Sequence, residues 1–89
     1  MNSSKNWVLQ IDPIVLKFLS KIPRHDAERI LLTIEELPAN PFSGDIQKMS
    51  GEENIWRKRI GAYRVRFEIL KAEKVIHVFR AERRTSKTY

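Results

Sequence analysis

The hydrophobic positions of this 89-residue chain change period as it proceeds. Trp7, Leu9 and Ile11 alternate with Val8 and Gln10, the two-residue period of a short strand. Asp12-Pro13 follows, an N-cap with proline at the first helical position. Ile14, Val15, Phe18, Leu19 and Ile22 then recur at helical spacing, which predicts a helix over 13–21 stopped by Pro23. Ala27, Ile30, Leu31, Ile34 and Leu37 form the apolar stripe of a second helix, with Glu28, Arg29 and Glu35 on its other side and Pro38 at its end. The short connection over 22–25 predicts an antiparallel helical hairpin.

Beyond Gly44 the period returns to two. Ile46 and Met49 lie in a weak segment that ends at Ser50-Gly51. Over 55–60, Trp56, Lys58 and Ile60 take one side, Arg57 and Arg59 the other. Gly61-Ala62 is a tight turn, after which Tyr63, Val65, Phe67 and Ile69 alternate with Arg64, Arg66 and Glu68. A polar turn at 71–74 leads into a β-branched run over 75–81. Short turns between successive strands predict an antiparallel meander with one face packed and one in water. The expected fold class is α+β in the order β-α-α-β-β-β. It has an N-terminal strand, a helical hairpin and a three- to four-stranded antiparallel sheet, all in one domain spanning 1–89.

Charge sharpens this outline. The net charge is +6, but residues 1–53 hold six basic and eight acidic side chains, whereas 54–89 hold eleven and three. A balance of −2 is thus followed by one of +8. If the apolar alternates face the helices, Arg57, Arg59, Arg64 and Arg66 crowd onto the open face of two adjacent strands. Like charges opposite one another destabilise a sheet, and an anionic ligand relieves that repulsion. The guanidinium fork grips phosphate at two points and stays charged. Arg80, Arg83, Arg84 and Lys87 extend the basic region, and Tyr89 offers a ring for stacking or a phenol for proton transfer. A polyanion, most often nucleic acid, is the expected partner.

Other classes drop out. There is no cysteine, so disulfides, thiolate catalysis and cysteine-held metals are excluded. His25 and His77 are far from metal-ligand spacing, and no metal or cofactor is expected. No apolar run approaches the roughly 18–20 residues of a membrane span. Residues 1–11 carry one lysine and no apolar core, so no signal peptide is expected and the location expected is cytoplasmic.

Three stretches resemble the RelE/ParE-type bacterial toxins. Residues 55–69, I-W-R-K-R-I-G-A-Y-R-V-R-F-E-I, resemble that family's Y-R-x-R-x-G-x-Y-R block. Residues 81–89, A-E-R-R-T-S-K-T-Y, resemble its closing G-H-R-x-x-x-x-Y, and Leu37-Pro38-Ala39-Asn40-Pro41 is similar to its L-x-x-N-P. The resemblance implies the fold derived above and a toxin of a type II toxin–antitoxin system. RelE-like members cut mRNA in the ribosomal A site, and ParE-like members poison DNA gyrase. Carried over by motif, Arg57, Arg59, Arg64, Arg83 and Tyr89 fill the RelE-type positions, which favours the ribonuclease branch. Arg57, Arg59 and Arg66 would bind RNA phosphate and Arg64 would stabilise the developing charge. Arg83 would lie at the leaving oxygen and Tyr89 would be the base, with His77 and Glu82 as rival bases. Glu82, Lys58 and Arg80 depart from the family pattern. The implied partners are a cognate antitoxin, mRNA and the 70S ribosome. The alternatives are a gyrase-directed toxin and a non-catalytic nucleic-acid-binding module.

Overall fold

The computed structural model describes residues 7–39, 41, 42, 44, 46–49, 51 and 54–84. Its chain runs β1 (Val8–Ile11), α1 (Pro13–Leu19), α2 (Arg24–Glu35), β2 (Ile46–Lys48), β3 (Ile55–Ile60), β4 (Tyr63–Leu70) and β5 (Val75–Arg83). Tyr89 and Lys87 fall outside the described residues.

Helix α1 begins as its sequence requires. The Ile14 amide donates to Asp12 Oδ1 at 2.9 Å, and Pro13 takes a position with no need of an N–H. The helix ends at Leu19, two residues earlier than its apolar spacing predicts. Helix α2 closes at Glu35, yet Leu37 in the turn beyond remains in the core at 2% exposure. Val15 and Leu19 of α1, Ile30 and Ile34 of α2, and Leu37 pack on Ile60, Tyr63, Val65, Phe67, Ile69, Ile76, Val78 and Ala81 of the sheet. Both helices therefore cover one sheet face. Among the described residues no helix is long and apolar enough to cross a membrane.

The strands form one sheet in the order β1-β5-β4-β3-β2. The meander from β2 to β5 is antiparallel throughout, as the short turns predict. The sheet nevertheless has five strands rather than three or four, because the weak segment at 46–48 pairs with β3 and β1 joins the other edge. That joining is parallel, with Val8 opposite Val75 and Ile11 opposite Val78. The helices carry the chain from one sheet edge to the other, so β1 and β2 close opposite sides.

Two local features set the site. Gly61, at φ +60°, takes the first position of the two-residue β3–β4 turn. A side chain there would be strained by backbone conformation and would also press on the Arg29 guanidinium, 3.1 Å from the place of a Cβ. The second feature is a bulge in β5. Arg66 faces Arg80 while Phe67 faces Val78, which leaves Phe79 as an extra, unpaired residue.

A candidate nucleic-acid interface on the open sheet face

The β3–β4 register places Arg57 directly opposite Arg66 and Arg59 opposite Arg64. All four lie on the face away from the helices, as the alternation of Arg57 and Arg59 with Trp56 and Ile60, and of Arg64 and Arg66 with buried Tyr63, Val65 and Phe67, predicts. Lys58 falls between Ile46 and Val65 on the helical side. Arg57 donates from Nη2 to Gln47 Oε1 at 2.6 Å. A cleft of about 270 Å³ opens here, lined by Gln47, Arg57, Arg59, Arg64 and Arg84.

Arg84, not Arg83, completes this cleft. Simple alternation from Ile76 and Val78 would bury Arg80 and aim Arg83 at the open face. The extra residue Phe79 reverses the phase. Ala81 becomes buried and Arg83 pairs with Tyr63 on the helical side. Its guanidinium carbon sits 4.9 Å from the Tyr63 ring centroid, a cation–π arrangement. The structure therefore places Arg83 on the face opposite Arg57, Arg59, Arg64 and Arg66. Arg84 follows on the opposite face and is tied to the β3–β4 turn, its amide donating to the Ala62 carbonyl at 2.7 Å and its Nη1 to the Gly61 carbonyl at 3.4 Å. The signal was present in the sequence as Arg80-Ala81, whose polar and apolar positions are out of step with the strand before them.

Among the described residues, Glu82 is a counter-ion on this face. Its Oε2 lies 3.1 Å from Arg66 Nη2 and 3.9 Å from Arg64 Nη1, and its Oε1 accepts from Arg80 Nε at 2.9 Å. One carboxylate is thus shared among three guanidinium groups. Both Glu82 oxygens face guanidinium groups, so the carboxylate braces the arginines. Arg66 Nε is buried without a hydrogen-bond partner, the kind of unfavourable arrangement tolerated where function requires it. His77 stands outside the cleft, its Nδ1 3.8 Å from Glu68 Oε1.

On the helical side, Tyr63 donates its hydroxyl to Asp26 Oδ2 at 2.7 Å and so ties β4 to the first turn of α2. The hydrogen bond to Asp26 keeps the proton on the phenol and raises the Tyr63 pKa, and burial adds to the rise, against a lowering by the Arg83 charge. The folded state keeps this proton more tightly than the unfolded chain. The resulting stability is complete below the usual phenol value near 10 and is lost as pH climbs through the raised one. A tyrosinate absorbance titration is expected to resolve a late-ionising phenol, which Asp26→Asn moves back toward the ordinary range. Superimposed titrations of the two proteins would refute the coupling.

Comparison with known proteins supports the fold and gives the family. A family model described as the ParE toxin of the parDE type II toxin–antitoxin system matches residues 9–85. The RelE1 protein of Methanocaldococcus jannaschii is 30% identical over 79 residues, covering 85% of this chain and 88% of that one. Among solved structures, the archaeal RelE–RelB complex from Pyrococcus horikoshii OT3 contains a chain that superposes with a TM-score of 0.79 at 25% identity, over 92% of this chain and 99% of that one. The isolated E. coli RelE toxin has the same fold, with a TM-score of 0.75 at 17% identity over 91% and 87% of the two chains. A match to the family model over most of the chain, with a relative at this identity, makes the protein a member of the ParE toxin family of type II toxin–antitoxin systems.

Proposed function

We propose that this toxin is a ribosome-dependent mRNA endoribonuclease whose cleft of Arg57, Arg59, Arg64 and Arg84 holds the scissile phosphate. The observation that carries the reading is the convergence of four guanidinium groups on one cleft of about 270 Å³. Stability alone disfavours like charges on adjacent strands, whereas a phosphodiester passing to a phosphorane gains negative charge that they would stabilise. In the reaction the RNA 2′-oxygen bonds to phosphorus, its proton passes to a base, and the bond to the 5′-oxygen breaks as that oxygen takes a proton. Arginine is a poor proton donor near neutral pH, so its contribution here is orientation and charge. Arg84 takes the place at the leaving oxygen that the sequence resemblance gives to Arg83, and Arg83 holds the end of β5 through Tyr63. Tyr89 remains the proposed base on the strength of the motif. The arginines supply the positive charge that a metal ion would otherwise bring.

Solved relatives bound to RelB support a cognate antitoxin as partner, one that covers the basic face with acidic or apolar side chains. The ParE description of the matching family supports a second reading, inhibition of DNA gyrase. Two assays separate them. Primer extension on a translated mRNA is expected to show new 5′ ends that require both the toxin and ribosomes. Plasmid supercoiling by purified gyrase is expected to proceed unaffected. Gyrase inhibition with intact mRNA would reverse the assignment.

A further inference from the structure

We infer that a second pocket on the same sheet face receives a nucleobase of the RNA strand whose phosphate occupies the arginine cleft. The inference rests on the nucleic-acid reading above and assigns that strand a further contact. The pocket has a volume of about 380 Å³ and is lined by Met49, Ile55, Arg66, Glu68, His77 and Phe79. In the sheet register, Ile55, Glu68 and His77 lie side by side across β3, β4 and β5. The neighbouring row is Arg57, Arg66 and Arg80, two residues along each strand except at the bulge. Two residues of strand span about 7 Å. The two sites are therefore adjacent, and Arg66 stands at their boundary, with Nη2 on Glu82 and its side chain in the wall of the second pocket.

The chemistry of the walls fits a base rather than another phosphate. Met49, Ile55 and Phe79 are apolar, and the His77 and Phe79 rings lie 6.1 Å apart, tilted by 48°. Unpaired RNA bases bind by stacking on such rings and by hydrogen bonds along their edges. Glu68 and His77 supply those polar edges, and each side chain is about one-third exposed, so neither is sealed from a ligand. Apolar walls with a few convergent polar groups are the usual make-up of a small-molecule pocket. The bulge is the independent sign. It costs the sheet a ladder position and in return frees Phe79 from regular pairing, and bulges recur where a side chain must be re-aimed beside a functional site.

The test uses the whole protein and fluorescence anisotropy. The probe is a short single-stranded RNA made uncleavable by a 2′-deoxy sugar at its central nucleotide, compared with the same strand lacking the neighbouring base. Stacking of one base predicts that the complete strand binds about 5- to 150-fold more tightly than the abasic one. Phe79→Ala is expected to close that gap while leaving the salt dependence of binding intact. Phe79→Leu, which keeps apolar bulk without a π-face, guards against a folding defect and is expected to narrow the gap. Equal binding of the two strands by the unmodified protein, or a gap that survives both substitutions, overturns the base pocket. If Arg64→Ala binds both strands as tightly as the unmodified protein, the arginine cleft itself fails and the base pocket falls with it. If Arg64→Ala weakens both strands and no gap is seen, the base pocket alone fails.

Discussion

Replacing Arg64 with alanine is expected to lower ribosome-dependent mRNA cleavage by about 100- to 1,000-fold, the usual loss when one preorganised donor to a developing oxyanion is removed. Arg64 lies on β4, between β3 and β5, with Arg59 opposite it on one side and Glu82 on the other. Both flanking strands fix its backbone, so the guanidinium is presented by a rigid element rather than a loop. The fold should hardly notice the loss. The side chain is 27% exposed, and its pair with Glu82 spans 3.9 Å, a separation at which surface pairs contribute little. Removing it also relieves repulsion with Arg59. A stability change within about 0.5 kcal/mol is therefore expected. The slope of log affinity against log salt for RNA should fall by about one. Primer extension gives the rate and thermal unfolding gives the control. Undiminished cleavage by a folded Arg64→Ala protein would remove the residue from the chemistry.

Phe67→Ala carries the largest expected effect on stability. Phe67 is 0% exposed, stands on the helical face of the central strand, and is flanked in the sheet by Trp56 and Val78. Ile30 and Ile34 of α2 and Val15 of α1 belong to the same buried cluster. The ring sits where both layers meet, and the surrounding strands are too constrained by pairing to collapse into the space it leaves. A loss of about 3–5 kcal/mol follows for such a truncation. That approaches the whole stability of many small domains, which begins near 5 kcal/mol. Urea unfolding should show a large drop in midpoint with little change in slope. Leu32→Ala is the control. Its side chain is 60% exposed on the outer side of α2, and a change within about 0.5 kcal/mol is expected. Equal midpoints for the two variants would mean that the core is not organised around Phe67.

The legible part of the fold is the part governed by local chemistry. Asp12-Pro13 marks the start of α1 because capping and the missing proline N–H act within one turn. The buried alternation Tyr63, Val65, Phe67, Ile69 marks β4 because successive strand residues face opposite ways. Gly61-Ala62 announces the hairpin because a positive φ needs glycine. The alternation and the hairpin together put Arg57, Arg59, Arg64 and Arg66 on one surface. The strand at 46–48 was less legible, since three residues give too little alternation and its pairing comes from β3.

Short-range periodicity and charge are enough to establish the α+β class, the basic open face and four of its arginines. Two features lie beyond what periodicity can encode and arise from long-range packing. One is the parallel seat of β1 beside β5, a pairing between the two ends of the domain that depends on where the helices deliver the chain. The other is which of two consecutive arginines enters the cleft. Alternation favours Arg83, but the unpaired Phe79 shifts the phase by one residue, so Arg83 packs on Tyr63 and Arg84 turns toward Arg57, Arg59 and Arg64. A single extra residue reverses every side chain after it, because the strand period is two.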